Sequence, residues 1–149
     1  MVAPGTLREF SDFTRETDFA TVENCGSLTA FWSSEDAQPN LSLRNFTGIA
    51  ELSPADQVVT VRTGTRIADL QTELADAGLW LPFESTLPSP IGEPDATIAE
   101  SLALALPHAG RFGNWRDWVL GATMLLSDGS TPKSGSRVVK SVAGYDAHK

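Results

Sequence analysis

Residues 113–146 constrain the fold more tightly than any other stretch of the chain. They read GNWRDWVLGATMLLSDGSTPKSGSRVVKSVAGYD. Two apolar runs, Trp118 to Leu126 and Val138 to Val142, flank a turn signal at Asp128-Gly129. Apolar runs around an Asp-Gly pair predict strands joined as a hairpin. Polar residues bracket the apolar middle: Arg116-Asp117 before it, Lys140 and Gly144-Tyr145-Asp146 around its end. A sheet with a site at one end follows from that arrangement.

The rest of the chain must fit around this sheet. At 149 residues it is long enough for one domain with a buried core. The net charge is -8, which makes nucleic acid and anionic membrane surfaces poor partners, since both recruit cationic side chains. Cys25 is the one cysteine, so an intrachain disulfide and a cysteine-rich metal site are excluded. The start lacks a cationic region followed by an apolar stretch, and the run Leu102 to Leu106 is too short to span a bilayer. A cytoplasmic location is the expectation.

In chain order, Leu7, Phe10 and Phe13 predict a helix over 6–20. Thr21-Val22 is a short apolar step, followed by Gly26-Ser27-Leu28-Thr29. Such a turn can turn several backbone N–H groups and hydroxyls towards one anion; a plain loop is the alternative. Leu41 and Leu43 alternate with polar residues, as in a half-buried strand. Turns are expected at 45–48 and 53–56, and a strand over Val58 to Val61. A helix over Arg66 to Ala77 follows, with Thr65 as N-cap, Gly78 as C-cap and Ile67, Leu70, Leu74 and Ala77 on one face. Trp80 is expected in the core. Residues 83–95 are proline-rich and read as a loop. Ala96-Thr97 opens a second helix with Ile98, Leu102 and Ala105 or Leu106 as its buried stripe, ended by Pro107.

No side-chain set for catalysis stands out. His108 and His148 lack neighbouring ligands and read as surface or capping residues. Metal, nucleophile-elbow and Rossmann signatures are missing. Arg116-Asp117 is open between a structural ion pair and a ligand contact. Lys140 and Tyr145 are open between sheet residues with buried stems and site residues.

R-D-x-V-L-G, D-G and K-x-V-A-G-Y-D, in this order and spacing, carry a resemblance. With Gly26-Ser27 and Ala77-Gly78-Leu79-Trp80-Leu81-Pro82 upstream, the chain resembles the FAD-binding domain of vanillyl-alcohol-oxidase/p-cresol-methylhydroxylase flavoproteins. Within that family it is most like the FAD-binding subunits of bacterial glycolate oxidases. The resemblance implies an α+β fold in two lobes, residues 1–57 with the phosphate loop and 58–149 with mixed strands and helices. It implies FAD between them, contacted by Gly26, Ser27, Leu28, Thr29, Thr97, Gly113, Arg116, Asp117, Lys140 and Val142. It also implies an iron–sulfur subunit and a second flavoprotein subunit as partners.

The chain departs from the family in three places. Thr-x-Gly-Gly is expected after the proline-rich loop, because glycines let the backbone approach the cofactor. Here the sequence is Thr97-Ile98-Ala99-Glu100. A Glu100 carboxylate about 4 Å from a pyrophosphate charge would cost roughly 4 kcal/mol at an effective dielectric near 20, about three decades of affinity, unless it swings away to solvent. Ser141 stands where the family has Asn, a milder change. The sequence stops at Lys149, whereas the resembled proteins continue into a substrate domain. The expectation is therefore a FAD-binding part of a 2-hydroxy-acid oxidoreductase that is not catalytic by itself. The competing expectation is a degenerate domain that has lost FAD through Ala99 and Glu100 and serves as an interaction or regulatory module.

Overall fold

The computed structural model describes residues 1–17, 22–23, 41–82, 96–104, 112–113 and 115–135. In chain order the elements are helix α1 (Leu7–Glu16), strands β1 (Val22–Glu23), β2 (Leu41–Ser42), β3 (Ile49–Ser53) and β4 (Val58–Val61), helices α2 (Ile67–Asp76), α3 (Ile98–Leu104) and α4 (Trp115–Trp118), and strands β5 (Gly121–Thr123) and β6 (Lys133–Gly135). Helices and small sheets, two of the three antiparallel, give an α+β fold.

Thr6 caps α1 by accepting a hydrogen bond from the Glu9 amide at 3.3 Å, and the Glu9 carboxylate accepts from the Gly5 amide at 2.8 Å. One orphan donor of the first turn and the amide just ahead of the cap are thereby met. Phe10 is buried and meets the Phe46 ring edge-on at 5.2 Å. Beside this helix β2 runs parallel to β1, pairing Val22 with Leu41, and bridges Val2 on its other side. Flanked on both edges, Leu41 and Ser42 are both buried. The expected alternation of buried leucines and exposed polar residues therefore does not hold. Ser42 is tolerated inside because its hydroxyl accepts from Arg44 Nε at 3.2 Å.

β3 was not expected from sequence. It pairs antiparallel with β4, Ile49 opposite Val61 and Leu52 opposite Val59, with the register shifted between Ile49 and Glu51. Val59 and Val61 share a face because they are two residues apart, whereas Ile49 and Leu52 are three apart. The extra residue of the bulge brings both onto that face, and it also destroys the period-two signal. The turn between the strands carries Gln57 at φ 55, and Ser53 Oγ donates to Asp56 Oδ2 at 2.7 Å. This hairpin crosses residues 57 and 58, so a lobe boundary there would divide a paired unit.

The core lies where α2 crosses this hairpin. Ile67, Leu70, Leu74, Ala96 and Ile98 are buried together, with Ile49, Leu52, Val59, Val61, Leu79, Leu81 and Leu102 packed around them. α2 ends as its glycine requires. Gly78 has φ +71, its amide donates to Ala75 O, and the Leu79 amide donates to Leu74 O, both at 2.9 Å. This is a Schellman closure with Leu79 folded back towards Leu74. The N-terminus differs from expectation: the N-cap is Arg66, without a side-chain cap bond. Thr65 instead ties two turns together, donating to Arg62 O at 2.6 Å and accepting from the Gly48 amide at 2.9 Å. Gly64 packs so closely on the preceding turn that a methyl there would collide with the carbonyl oxygens of Leu43 and Phe46.

The Asp128-Gly129 hairpin forms, but its returning strand is Lys133–Gly135. The run at 138–142, which was expected to pair, lies outside the described residues. Leu126 O accepts from the Gly129 amide at 2.9 Å and the Leu126 amide donates to Ser130 O at 3.0 Å. With Gly129 at φ +76, this is the three-residue loop that ends in a left-handed glycine. The outgoing strand starts at Gly121, not Trp118, because Trp118 closes the short helix α4. The hairpin tip docks on α1: Ser11 Oγ donates to Gly129 O at 2.5 Å.

Candidate functional site

Of the ten residues the sequence singles out for cofactor contact, four lie in described positions: Thr97, Gly113, Arg116 (backbone only) and Asp117. Gly26, Ser27, Leu28, Thr29, Lys140 and Val142 lie outside the described residues. The four fall on two segments of opposite character.

The first segment opens α3. Ala96 and Thr97 pair with the chain entering α2, through an antiparallel bridge between Arg66 and Thr97. The Ile67 amide donates to Ala96 O and the Ile98 amide to Thr65 O, both at 2.9 Å, and the Ala99 amide to Thr63 O at 2.8 Å. Thr97 and Glu100 then close the helix end reciprocally. The Thr97 amide donates to Glu100 Oε2 at 2.9 Å, the Thr97 hydroxyl approaches the same oxygen at 3.2 Å, and the Glu100 amide donates to Thr97 Oγ1 at 3.3 Å. This is a capping box. Thr97 is 1% exposed and Glu100 3%. The expectation that Glu100 either confronts a pyrophosphate or swings to solvent is corrected: its carboxylate turns into its own helix. The signal was in the sequence, since Thr-x-x-Glu before an apolar run is the pattern of such a box.

In the second segment, residues 112–118, Phe112, Asp117 and Trp118 are exposed and Gly113 is half-buried. Gly113 has φ +83, and a Cβ there would come within 3.0 Å of Asp117 Oδ2. Glycine is thus required twice over, by the left-handed backbone and by the neighbouring carboxylate. The Trp118 indole donates to Phe112 O at 2.8 Å, which fixes both ends of the segment. Trp80, expected in the core, is 65% exposed and meets the Phe112 ring edge-on at 5.7 Å. Its neighbours Leu79 and Leu81 take the core side instead. Trp80, Phe112 and Trp118 together are an apolar rim that sequence reasoning did not place.

Beside α2 an open groove is lined by Thr47, Gly48, Thr65, Asp69, Thr72 and Glu73. Its two carboxylates give it the wrong sign for a phosphate group. Among the described residues no cluster of acidic, histidine and cysteine side chains is suited to a metal ion, and no helix is long and apolar enough to cross a membrane. Asp128, at the hairpin tip, has its carboxyl held below the usual range by hydrogen bonds from the Ser130 side chain and amide, with a smaller contribution from Arg15.

The sequence that carries these segments has the signature of a flavoprotein. The model of the FAD binding domain family matches residues 25–135. The chain belongs to that family, and its cofactor is FAD. Glycolate oxidase subunit GlcE of Escherichia coli (strain K12) is 37% identical over 108 residues, covering 71% of this chain and 30% of that protein. A probable mitochondrial D-lactate dehydrogenase of Danio rerio is 32% identical over 108 residues, covering 70% of this chain and 21% of that protein. The mitochondrial D-lactate dehydrogenase (cytochrome) of Arabidopsis thaliana is 33% identical over 99 residues, covering 66% of this chain and 16% of that protein. The chain therefore spans less than a third of the length of these relatives.

Proposed function

We propose that the chain is the FAD-binding part of a flavin-dependent oxidoreductase acting on a small 2-hydroxy acid, in the manner of glycolate oxidase. The observation that carries this reading is the family match over residues 25–135, joined by relatives named for glycolate and D-lactate, both 2-hydroxy acids. FAD, when bound, supplies the redox chemistry, and the protein supplies binding and orientation.

Gly26, Ser27, Leu28 and Thr29 are proposed to hold the pyrophosphate through amides and hydroxyls. Gly113, Arg116 and Asp117 are proposed to run along the cofactor, and Lys140 and Val142 to line its adenine end. The left-handed Gly113 and the exposure of Phe112, Asp117 and Trp118 beside it support this: a cofactor can approach a glycine backbone closely. Two lobes are proposed: the division into residues 1–57 and 58–149 that the resemblance implies, with its boundary shifted ahead of the β3–β4 hairpin in which residues 57 and 58 lie. A second flavoprotein subunit or an iron–sulfur subunit of an oxidase complex is the proposed partner, supported by the word subunit in the name of the Escherichia coli relative. A cofactor-free interaction module is the weaker reading, since the Glu100 charge that motivated it is turned into α3.

Native mass spectrometry and titration of the purified chain with FAD test the reading. One FAD per chain with quenched tryptophan fluorescence is expected, because Trp80, Phe112 and Trp118 flank the proposed contact. Failure to bind FAD at high micromolar concentration would refute it.

A further inference from the structure

The start of a helix leaves amides without intrahelical acceptors, and these are what an anion uses. At α3 each leading donor already has an acceptor within the protein. The Thr97 amide is taken by Glu100 Oε2, Ile98 by Thr65 O, Ala99 by Thr63 O and Glu100 by Thr97 Oγ1. Most of the segment is also closed to solvent, with Ala96 and Thr97 each 1% exposed, Ile98 5% and Glu100 3%, while Ala99 is half-buried. A carboxylate in the first turn lies at the positive end of the helix dipole, where a phosphate would otherwise gain from it.

We infer that this chain binds FAD without hydrogen bonds from the start of α3, because Glu100 acts there as an internal anion. The inference rests on the FAD-binding reading and deepens it. Thr97 then has a structural role, and the replacement of two glycines by Ala99-Glu100 exchanges a backbone contact with the cofactor for a self-capped helix end. The cofactor's hold moves to the remaining proposed contacts, among them the half-buried Gly113 and the exposed Asp117.

The test separates charge from capping. Glu100→Gln removes the charge and keeps a side chain that completes a capping box. Thr97→Val removes the hydroxyl. FAD dissociation constants are measured by fluorescence titration, with melting temperatures in parallel. Both variants are expected to stay within about three-fold of the parent constant, while Thr97→Val melts lower. A carboxylate facing the pyrophosphate would instead let Glu100→Gln tighten binding by up to about a thousand-fold; a tightening of about ten-fold or more overturns the inference. So does a comparable weakening in a folded Thr97→Val chain. Amide exchange over 97–100 decides independently of either variant. Slow exchange, unchanged by FAD, is expected. Fast exchange in the parent chain, or new protection on adding FAD, overturns the inference. If the parent chain takes up no FAD, the functional reading falls, and slow or fast exchange in the apo protein still shows whether the helix end is closed.

Discussion

The segments 96–100 and 112–118 were both expected to face the cofactor, and they have little else in common. The first is buried, and each amide that starts its helix has a protein acceptor. The second has a half-buried, left-handed glycine at 113, with Phe112 and Trp118 exposed on either side of it. One residue type marks the difference. Position 113 keeps the glycine that close backbone approach demands, whereas positions 99 and 100 carry Ala and Glu. A stretch that resembles a ligand site can thus retain its helix, its threonine and its place in the fold while its donors serve the protein itself.

Five substitutions break or sharpen this contrast. Leu70 is 1% exposed beneath the first segment, and Leu70→Ala should cost about 2–5 kcal/mol by leaving a cavity, seen as a large drop in chemical-denaturation midpoint. Trp80→Ala on the open rim should stay near 0.5 kcal/mol or below. Equal losses at both positions would show that the rim is core and erase the distinction. Next in size is Gly129→Ala, where a Cβ would lie 2.5 Å from Arg15 Cγ and 2.8 Å from Ser11 O on a backbone at φ +76. A loss of about 1–3 kcal/mol is expected, and an unchanged midpoint would mean that the hairpin tip does not seat on α1. Thr97→Ala should cost about 1 kcal/mol through loss of the cap. Glu100→Gln should cost less, since Gln retains the box; the reverse order would show that charge, not capping, matters at this helix end.

The smallest effect concerns pH. Asp128 is held below its ordinary value of 3.8 by Ser130, so its folded form binds a proton less readily than the unfolded chain does. Its contribution is fully present above the unfolded value and is lost as pH falls through the lower, folded one. Asp128→Asn should therefore lower stability slightly at neutral pH, with the difference from the parent shrinking as pH falls below about 4. A difference that grew on acidification would contradict that sign.

What the sequence made legible follows from how local each signal is. α2 was readable because Ile67, Leu70 and Leu74 repeat at helical spacing and Gly78 closes the helix. The Asp128-Gly129 turn was readable because a left-handed position selects its own residue. β3 was hidden by a bulge that puts apolar residues three apart, and the burial of Ser42 by neighbours on both sides of β2. Thr65 and Trp80 misled because a hydroxyl before a helix and an indole in an apolar stretch have local defaults, which distant partners, Gly48 and Phe112, replaced. Thr97 and Glu100 were readable as a cap, yet the family pattern drew attention to what they lack instead of to what they form.

The seat of Gly129 on Ser11 joins positions 118 apart in the chain. During synthesis the N-terminal helix leaves the ribosome well before the loop that completes its packing exists. Nascent chains halted ahead of residue 129 should thus hold that helix by its Phe10 face alone, with the Ser11 face open to proteases until the loop arrives.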